Sequence, residues 1–204
     1  MTRPTPPITL LESLDPMFVP AFGLVSWVKE TFIDAGGLLT NPDHEHLQQA
    51  DIAFIWTNVE NVKRRRLILG QCQLMPPGGD KWTSTRSGGQ IIEWFGGMPD
   101  ALITIYAPAV ATMDHWQFCA LIEHELSHIG QATDKYGSPR FNDQTGKPTW
   151  EMRGHCVEEF TSIVRRYGAT SPELAEMVRA VNKGPELSEA NISRSCGTCL
   201  RLVR

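Results

Sequence analysis

Two histidines and a glutamate in one short motif are the residues of this chain most suited to chemistry. Residues 124–128 read His-Glu-Leu-Ser-His, and residues four apart lie on the same face of a helix. We therefore expect His124 and His128 to bind one metal ion together. Glu125 lies beside them, where it is expected to take a proton from a water molecule that the metal activates. This pattern is typical of zinc-dependent peptidases.

The segment that carries the motif has the features of a helix. Asp114 and Gln117 form a D-x-x-Q capping box at its start, and Gly130 is predicted to end it. Apolar residues recur along it at 4-4-3 spacing, which predicts one buried stripe: Phe118, Ile122, Leu126 and Ile129. The histidines fall beside this stripe, so we expect them at the edge of a cleft.

A catalytic zinc usually takes three protein ligands, so the motif needs a third residue. The segment 150–168 is predicted to form a second helix that ends at Gly168. One face of this helix would carry His155, Glu158 and Glu159. Helical geometry alone does not decide between the histidine and the two glutamates, and a merely solvated face is the alternative interpretation.

Several parts of the sequence together resemble the putative phage metallopeptidase family. The similar segments are 122–131, 136–141, 146–150, 154–160 and 165–168, within a match over about residues 50–168. The resemblance implies a small zincin-like fold and a single zinc ion. The chain is also similar to SprT-like and mini-gluzincin peptidases, in which a third histidine precedes a short segment that contains Phe. This similarity implies His155 as the third ligand, whereas Cys156 departs from the acidic residue expected next to it.

The remaining patterns predict an α+β domain. Strands are predicted at 51–57, 66–75, 91–95 and 101–107, helices at 19–34 and 171–181, and a flexible flap at 80–92. With the resemblance, this predicts a mixed sheet of three to four strands packed against the HExxH helix and a second ligand-bearing helix. The resemblance also implies that the strand 101–107 edges the active-site cleft.

Length and composition indicate one domain. The chain has 204 residues, of which 41% are hydrophobic, and we predict an irregular arm at 1–18, a domain at 19–182 and a tail at 183–204. Neither a long apolar stretch nor a signal peptide is evident, which predicts no membrane span and a location in the cytoplasm, the host cytoplasm if a phage encodes the protein. The net charge of −4 argues against general nucleic-acid binding.

Two further groups of potential metal ligands have simpler interpretations. His44 and His46 are two apart, the wrong spacing for one helix face, so we predict that they are surface residues, with a second metal site as the alternative. Cys196 and Cys199 form a C-x-x-C close to the C-terminus, and no second such pair completes a structural zinc site. We interpret this pair as part of a mobile tail.

The function that the sequence predicts is hydrolysis of a peptide bond in a protein or peptide substrate, with Zn²⁺ and Glu125 activating water. Arg153 is a candidate to stabilise the oxyanion, and Tyr106 is a second, although an aromatic residue there more often serves packing. The alternative is a zinc-binding, non-hydrolytic phage assembly or interaction protein. A peptidase that cleaves one dedicated partner is a narrower form of the first hypothesis.

Overall fold

The computed structural model describes residues 2–63, 65–157, 164–165, 167–169 and 171–187. The α-helices are α1 (Ile8–Glu12), α2 (Phe22–Val28), α3 (Lys81–Phe95), α4 (Ala107–Ala111), α5 (His115–Ser127) and α6 (Pro172–Lys183). A π-helix at Lys29–Ile33 continues α2, and a 3-10 helix spans Pro42–Gln49. The strands are β1 (Phe18–Pro20), β2 (Ile52–Thr57), β3 (Val62–Lys63), β4 (Arg66–Leu67), β5 (Gly70–Leu74), β6 (Ala101–Tyr106), β7 (Ile129–Gln131) and β8 (Trp150–Met152).

A four-stranded mixed sheet organises the fold, with the strand order β1-β2-β6-β5. β2 and β6 are parallel, whereas β1 and β5 are antiparallel to their neighbours. The predicted α+β class and mixed sheet are therefore confirmed. The expected position of β6 at a cleft edge is wrong, because β6 lies between β2 and β5, and β5 is the edge strand on that side.

One face of the sheet packs against the helix that carries the motif. The predicted apolar stripe, which runs along α5 to the first residue of β7, is buried as expected: Phe118, Ile122, Leu126 and Ile129. The Phe118 ring lies 5.7 Å from that of Trp27 on α2 and 6.4 Å from that of Trp56 on β2. These aromatic contacts fix α5 against the centre of the sheet.

The other face of the sheet is covered by α3, where the sequence predicted a flap and a short strand. Both predictions are wrong, because residues 81–95 form one continuous helix. The Asp80 side chain accepts hydrogen bonds from the backbone of Trp82 and Thr83, and Gly96 ends the helix in the left-handed conformation, with φ 75°. Ile91 is buried in the small core on this face, so capping and packing outweigh the glycine and serine content.

The N-terminal segment contacts the start of α5. α1 places Leu10 in the core with no exposed surface. Arg3 donates hydrogen bonds to the carbonyl oxygens of Asp114 at 2.9 Å and Met113 at 2.7 Å. The N-terminal arm that was expected to be irregular thus includes a short helix and an anchored side chain. The predicted limits of the domain, 19–182, and of the tail, 183–204, stay predictions.

The two outer helices agree with their sequence patterns. The helix predicted at 19–34 is formed by α2 and the π-helix, after a short β1 at its start. α6 begins after Ser171, whose hydroxyl accepts a hydrogen bond from the Leu174 backbone at 3.2 Å. Within the described ranges, no helix has the length and apolar character needed to cross a membrane.

Candidate metal centre

The start of the motif helix is fixed by the predicted capping box. The Asp114 side chain accepts a hydrogen bond from the Gln117 backbone N–H at 2.8 Å, and the Gln117 side-chain oxygen accepts one from the Asp114 backbone N–H at 3.4 Å. α5 ends at Ser127, with His128 as its C-terminal cap. The motif therefore occupies the last turn of the helix.

Gly130 does not end the helix as predicted, because it lies inside β7. A Cβ atom at this position would stand 2.3 Å from Nε and 2.7 Å from Cγ of Arg153. Glycine is thus needed here for the close approach of the arginine side chain. This contact brings the segment after β8 against the end of α5.

The predicted second helix is wrong at its beginning, since Trp150–Met152 form strand β8 instead. β8 pairs antiparallel with β7, and Ile129 lies opposite Met152. This pairing places His155, in the irregular segment that follows β8, beside the motif. Glu158 and Glu159, the alternative third ligands, lie outside the described residues.

The structure brings His124, His128 and His155 together. One ring nitrogen of each lies within 4.8 Å of the other two, and the Nε2 atoms of His124 and His155 are 3.3 Å apart. His128 is buried, His124 is half-buried and His155 is exposed. Among the described residues, this is the group of three or more His, Cys, Asp or Glu side chains whose ligand atoms lie close enough together to hold a metal ion.

Hydrogen bonds to Arg153 set the orientation and the tautomer of His128. Nδ1 of His128 lies 2.7 Å from the carbonyl oxygen of Arg153. A carbonyl only accepts, so Nδ1 carries the proton and Nε2 keeps its lone pair for a metal. The Arg153 backbone N–H also donates to the His128 carbonyl at 2.9 Å. Three imidazoles, one of them oriented in this way, are a donor set suited to zinc or another first-row metal ion.

Glu125 is fully buried, with 0% of its surface exposed. Its carboxylate lies against β5, where a Cβ added to Gly70 would stand 2.9 Å from Oε1 and 3.0 Å from Cγ. The glycine therefore leaves the room that this side chain occupies. Glu125 is not among the residues that line the cavity described next, and it lies between α5 and β5.

A cavity of about 570 Å³ opens at the three histidines. Its wall also includes Arg153, whereas Tyr106 is not part of it and borders a much smaller cavity of about 40 Å³ near Gly70. Of the two candidates for oxyanion stabilisation, Arg153 thus lines the cavity at the three histidines and Tyr106 does not. Cys156 is exposed and lines the same cavity.

His44 is a residue of this cavity wall that the sequence interpretation missed. It is 1% exposed, so its assignment to the surface is wrong. Burial lowers the pKa of His44 to about 4, which keeps the ring neutral. Its Nε2 lies 3.7 Å from Oε1 of Glu123, a carboxylate whose pKa is raised by burial.

The 3-10 helix explains why the two-residue spacing of His44 and His46 was misleading. In this helix residues three apart share a face, so His44 is buried together with Leu47. His46 is half-buried, and its Nε2 lies 2.8 Å from the Ile129 carbonyl oxygen. The pair Asn41-Pro42 could have indicated the start of this helix from the sequence, since asparagine is a common N-cap and proline a common first residue. In the structure the Asn41 side chain accepts a hydrogen bond from the Asp43 backbone N–H at 3.0 Å.

Comparison with known proteins gives one family. The family model described as "Putative phage metallopeptidase" matches residues 25–182, which include every residue of the centre described above. No curated protein and no solved structure matches the chain.

Proposed function

The chain belongs to the putative phage metallopeptidase family, and from that premise we propose that it is a zinc-dependent peptidase of the HExxH type. Family membership supports a metallopeptidase with protein or peptide substrates. The observation that carries the finer proposal is the cluster of His124, His128 and His155, whose ligand atoms all lie within 4.8 Å of one another. The cavity beside the cluster gives a substrate access to it.

The three histidines would hold the ion through one ring nitrogen each, and this leaves a coordination position for water or substrate. A bound zinc ion supplies a Lewis acid that lowers the pKa of water and polarises a carbonyl group. The hydrogen bond from His128 Nδ1 to Arg153 keeps one ligand in the required tautomer before any metal arrives. His44 contributes a neutral wall, because its lowered pKa prevents a second positive charge beside the ion.

Glu125 is the proposed general base. It would accept a proton from the attacking water at a carboxylate oxygen and then donate that proton to the leaving amine. Its place in the sequence, directly after His124 in the HExxH motif, supports this role. Full burial supports it too, since a buried carboxylate is costly and such groups concentrate at functional sites.

Arg153 is the proposed stabiliser of the oxyanion. Its backbone is fixed by two hydrogen bonds to His128, and its side chain crosses Gly130 at the cavity wall. A guanidinium group held in place beside a reacting carbonyl stabilises developing negative charge without reorganisation.

The test is the Glu125→Gln variant of the zinc-loaded protein, compared with Glu123→Gln. The neighbouring Glu123 is half-buried and accepts a hydrogen bond from Asn41 at 3.0 Å, which a glutamine oxygen preserves. We expect Glu125→Gln to keep its zinc and to lose at least about a hundredfold in kcat, the usual range for a general acid–base. Glu123→Gln should remain active. Unchanged hydrolysis in Glu125→Gln would refute the mechanism, and a zinc-loaded parent that cleaves nothing would favour the non-hydrolytic phage component.

A further inference from the structure

Two side chains that line the cavity beside the three histidines are apolar. They are Val157, two residues after His155, and Met177 on α6. Most of the other side chains of the wall are polar or ionisable. Among the described residues of the wall, a substrate bound at the histidines would therefore meet apolar side chains at Val157 and Met177.

Met177 is held at the cavity by the way α6 is anchored. Leu174, three residues earlier, is the residue of α6 that is buried, and residues three apart lie on one face of a helix. The charged side chains of Glu176 and Arg179 pair with each other on the exposed surface, with Arg179 Nε 3.0 Å from the carboxylate. α6 thus presents Met177 to the cavity, whereas the paired charges of Glu176 and Arg179 lie on its exposed surface.

Met177 nevertheless has 45% of its surface exposed. A large apolar side chain exposed in the wall of a cavity gains free energy when a ligand covers it. Methionine is unbranched and flexible, so it adapts to apolar partners of different shape. A polar side chain in the same place would lose its hydrogen bonds to water without gaining new ones from Met177 or Val157.

We propose that Met177 and Val157 determine the specificity of this site, and that they select an apolar side chain next to the scissile bond. The substrate class would be peptides with a leucine-like residue at that position. This inference rests on the proposed peptidase function and deepens it.

The first measurement is digestion of a mixed peptide library by the zinc-loaded protein, with mass spectrometry of the residues that flank each cut. A peptide from this set is then made in two forms that differ only in leucine or asparagine at the flanking position, because these side chains have similar size. We expect the parent to favour leucine. Met177→Ala should reduce the leucine-to-asparagine ratio of kcat/KM about tenfold, the lower end of the effect of removing apolar contacts in a specificity pocket.

Two variants control this result. Met177→Leu keeps the apolar contact and should keep the ratio close to that of the parent. Val181→Ala changes a residue one turn after Met177 on the same face of α6. The Val181 side chain is 72% exposed and is not among the residues that line the cavity. An equal loss of the ratio in Val181→Ala, or no loss in Met177→Ala, would overturn the assignment.

A binding measurement separates this inference from the proposed function. Two labelled tetrapeptides that differ only in leucine or asparagine at the flanking position are titrated with zinc-loaded Glu125→Gln, and their affinities are measured by fluorescence anisotropy. This variant need not hydrolyse either peptide. Tighter binding of the leucine peptide, lost when Met177→Ala is added, supports the inference even if the parent proves inactive. Equal binding of the two peptides would overturn it even if the parent is an active peptidase.

Discussion

Replacing Gly70 by alanine tests where Glu125 lies without changing any proposed catalytic residue. The added Cβ would stand 2.9 Å from Oε1 and 3.0 Å from Cγ of Glu125, while ordinary contacts begin at 3.4 Å. The carboxylate must therefore move by roughly half an ångström. Because Glu125 is fully buried, the move also disturbs the side chains packed around it.

The expected loss of activity follows from this displacement. A misplacement of about 1 Å at a reacting group costs on the order of a hundredfold in rate. A shift of about half that size is then expected to lower kcat by roughly tenfold, and by up to a hundredfold if the carboxylate rotates away. The three atoms nearest to the added Cβ all belong to Glu125 and none to a histidine, so we expect the zinc content not to change.

The assay compares kcat, zinc content and urea unfolding of Gly70→Ala with those of Gly89→Ala. Gly89 lies in α3, and a Cβ there meets no atom within 4 Å. Gly89→Ala should keep full activity and gain about 0.5–1 kcal/mol of unfolding free energy, since alanine favours a helix. Full activity of a zinc-loaded Gly70→Ala variant would refute either the position of Glu125 or its role as the base.

Three further predictions concern stability. The folded state lowers the pKa of His44 from 6.5 to about 4. Between pH 6.5 and pH 4 the unfolded chain therefore binds a proton at this residue that the folded chain does not, and the free energy of unfolding falls as the pH falls. Urea unfolding should show a loss of about 2 kcal/mol from pH 7 to pH 5 that His44→Leu lacks. An equal pH dependence in both proteins would contradict the burial of this ring. Gly130→Ala should cost about 1–3 kcal/mol by overpacking against Arg153 and should weaken zinc binding, measured by competition with a chelator. Asp114→Ala should lower the free energy of unfolding by about 1 kcal/mol, because α5 loses its N-terminal cap. A thermal unfolding temperature equal to that of the parent would argue against the capping box.

The motif helix could be predicted from sequence because its signals are local. The capping box, the 4-4-3 apolar stripe and the i, i+4 histidines all lie within 114–129, and each is confirmed by the structure. β2 was equally clear, because a strand buried on both faces has a continuous apolar run. The resemblance, in turn, implied His155, and the structure brings this residue to the motif.

The remaining features depend on contacts between distant segments. β8 was predicted as helix because its pairing with β7 joins residues about twenty positions apart in the sequence. The burial of His44 depends on packing of the 3-10 helix against α5 and β7. α3 was missed because its glycines and serines argue locally for a loop, although Asp80 caps a helix that the second core stabilises.

The most direct test of the central claim is the zinc content per chain of the purified protein, measured beside His128→Ala, His155→Ala and His46→Ala. His46 lies close in the fold but bonds the Ile129 carbonyl and is not part of the cluster. A three-histidine centre predicts about one zinc in the parent and in His46→Ala, and a marked loss in the other two variants. Full zinc content in His155→Ala, or no zinc in the parent after zinc is supplied, would contradict the claim.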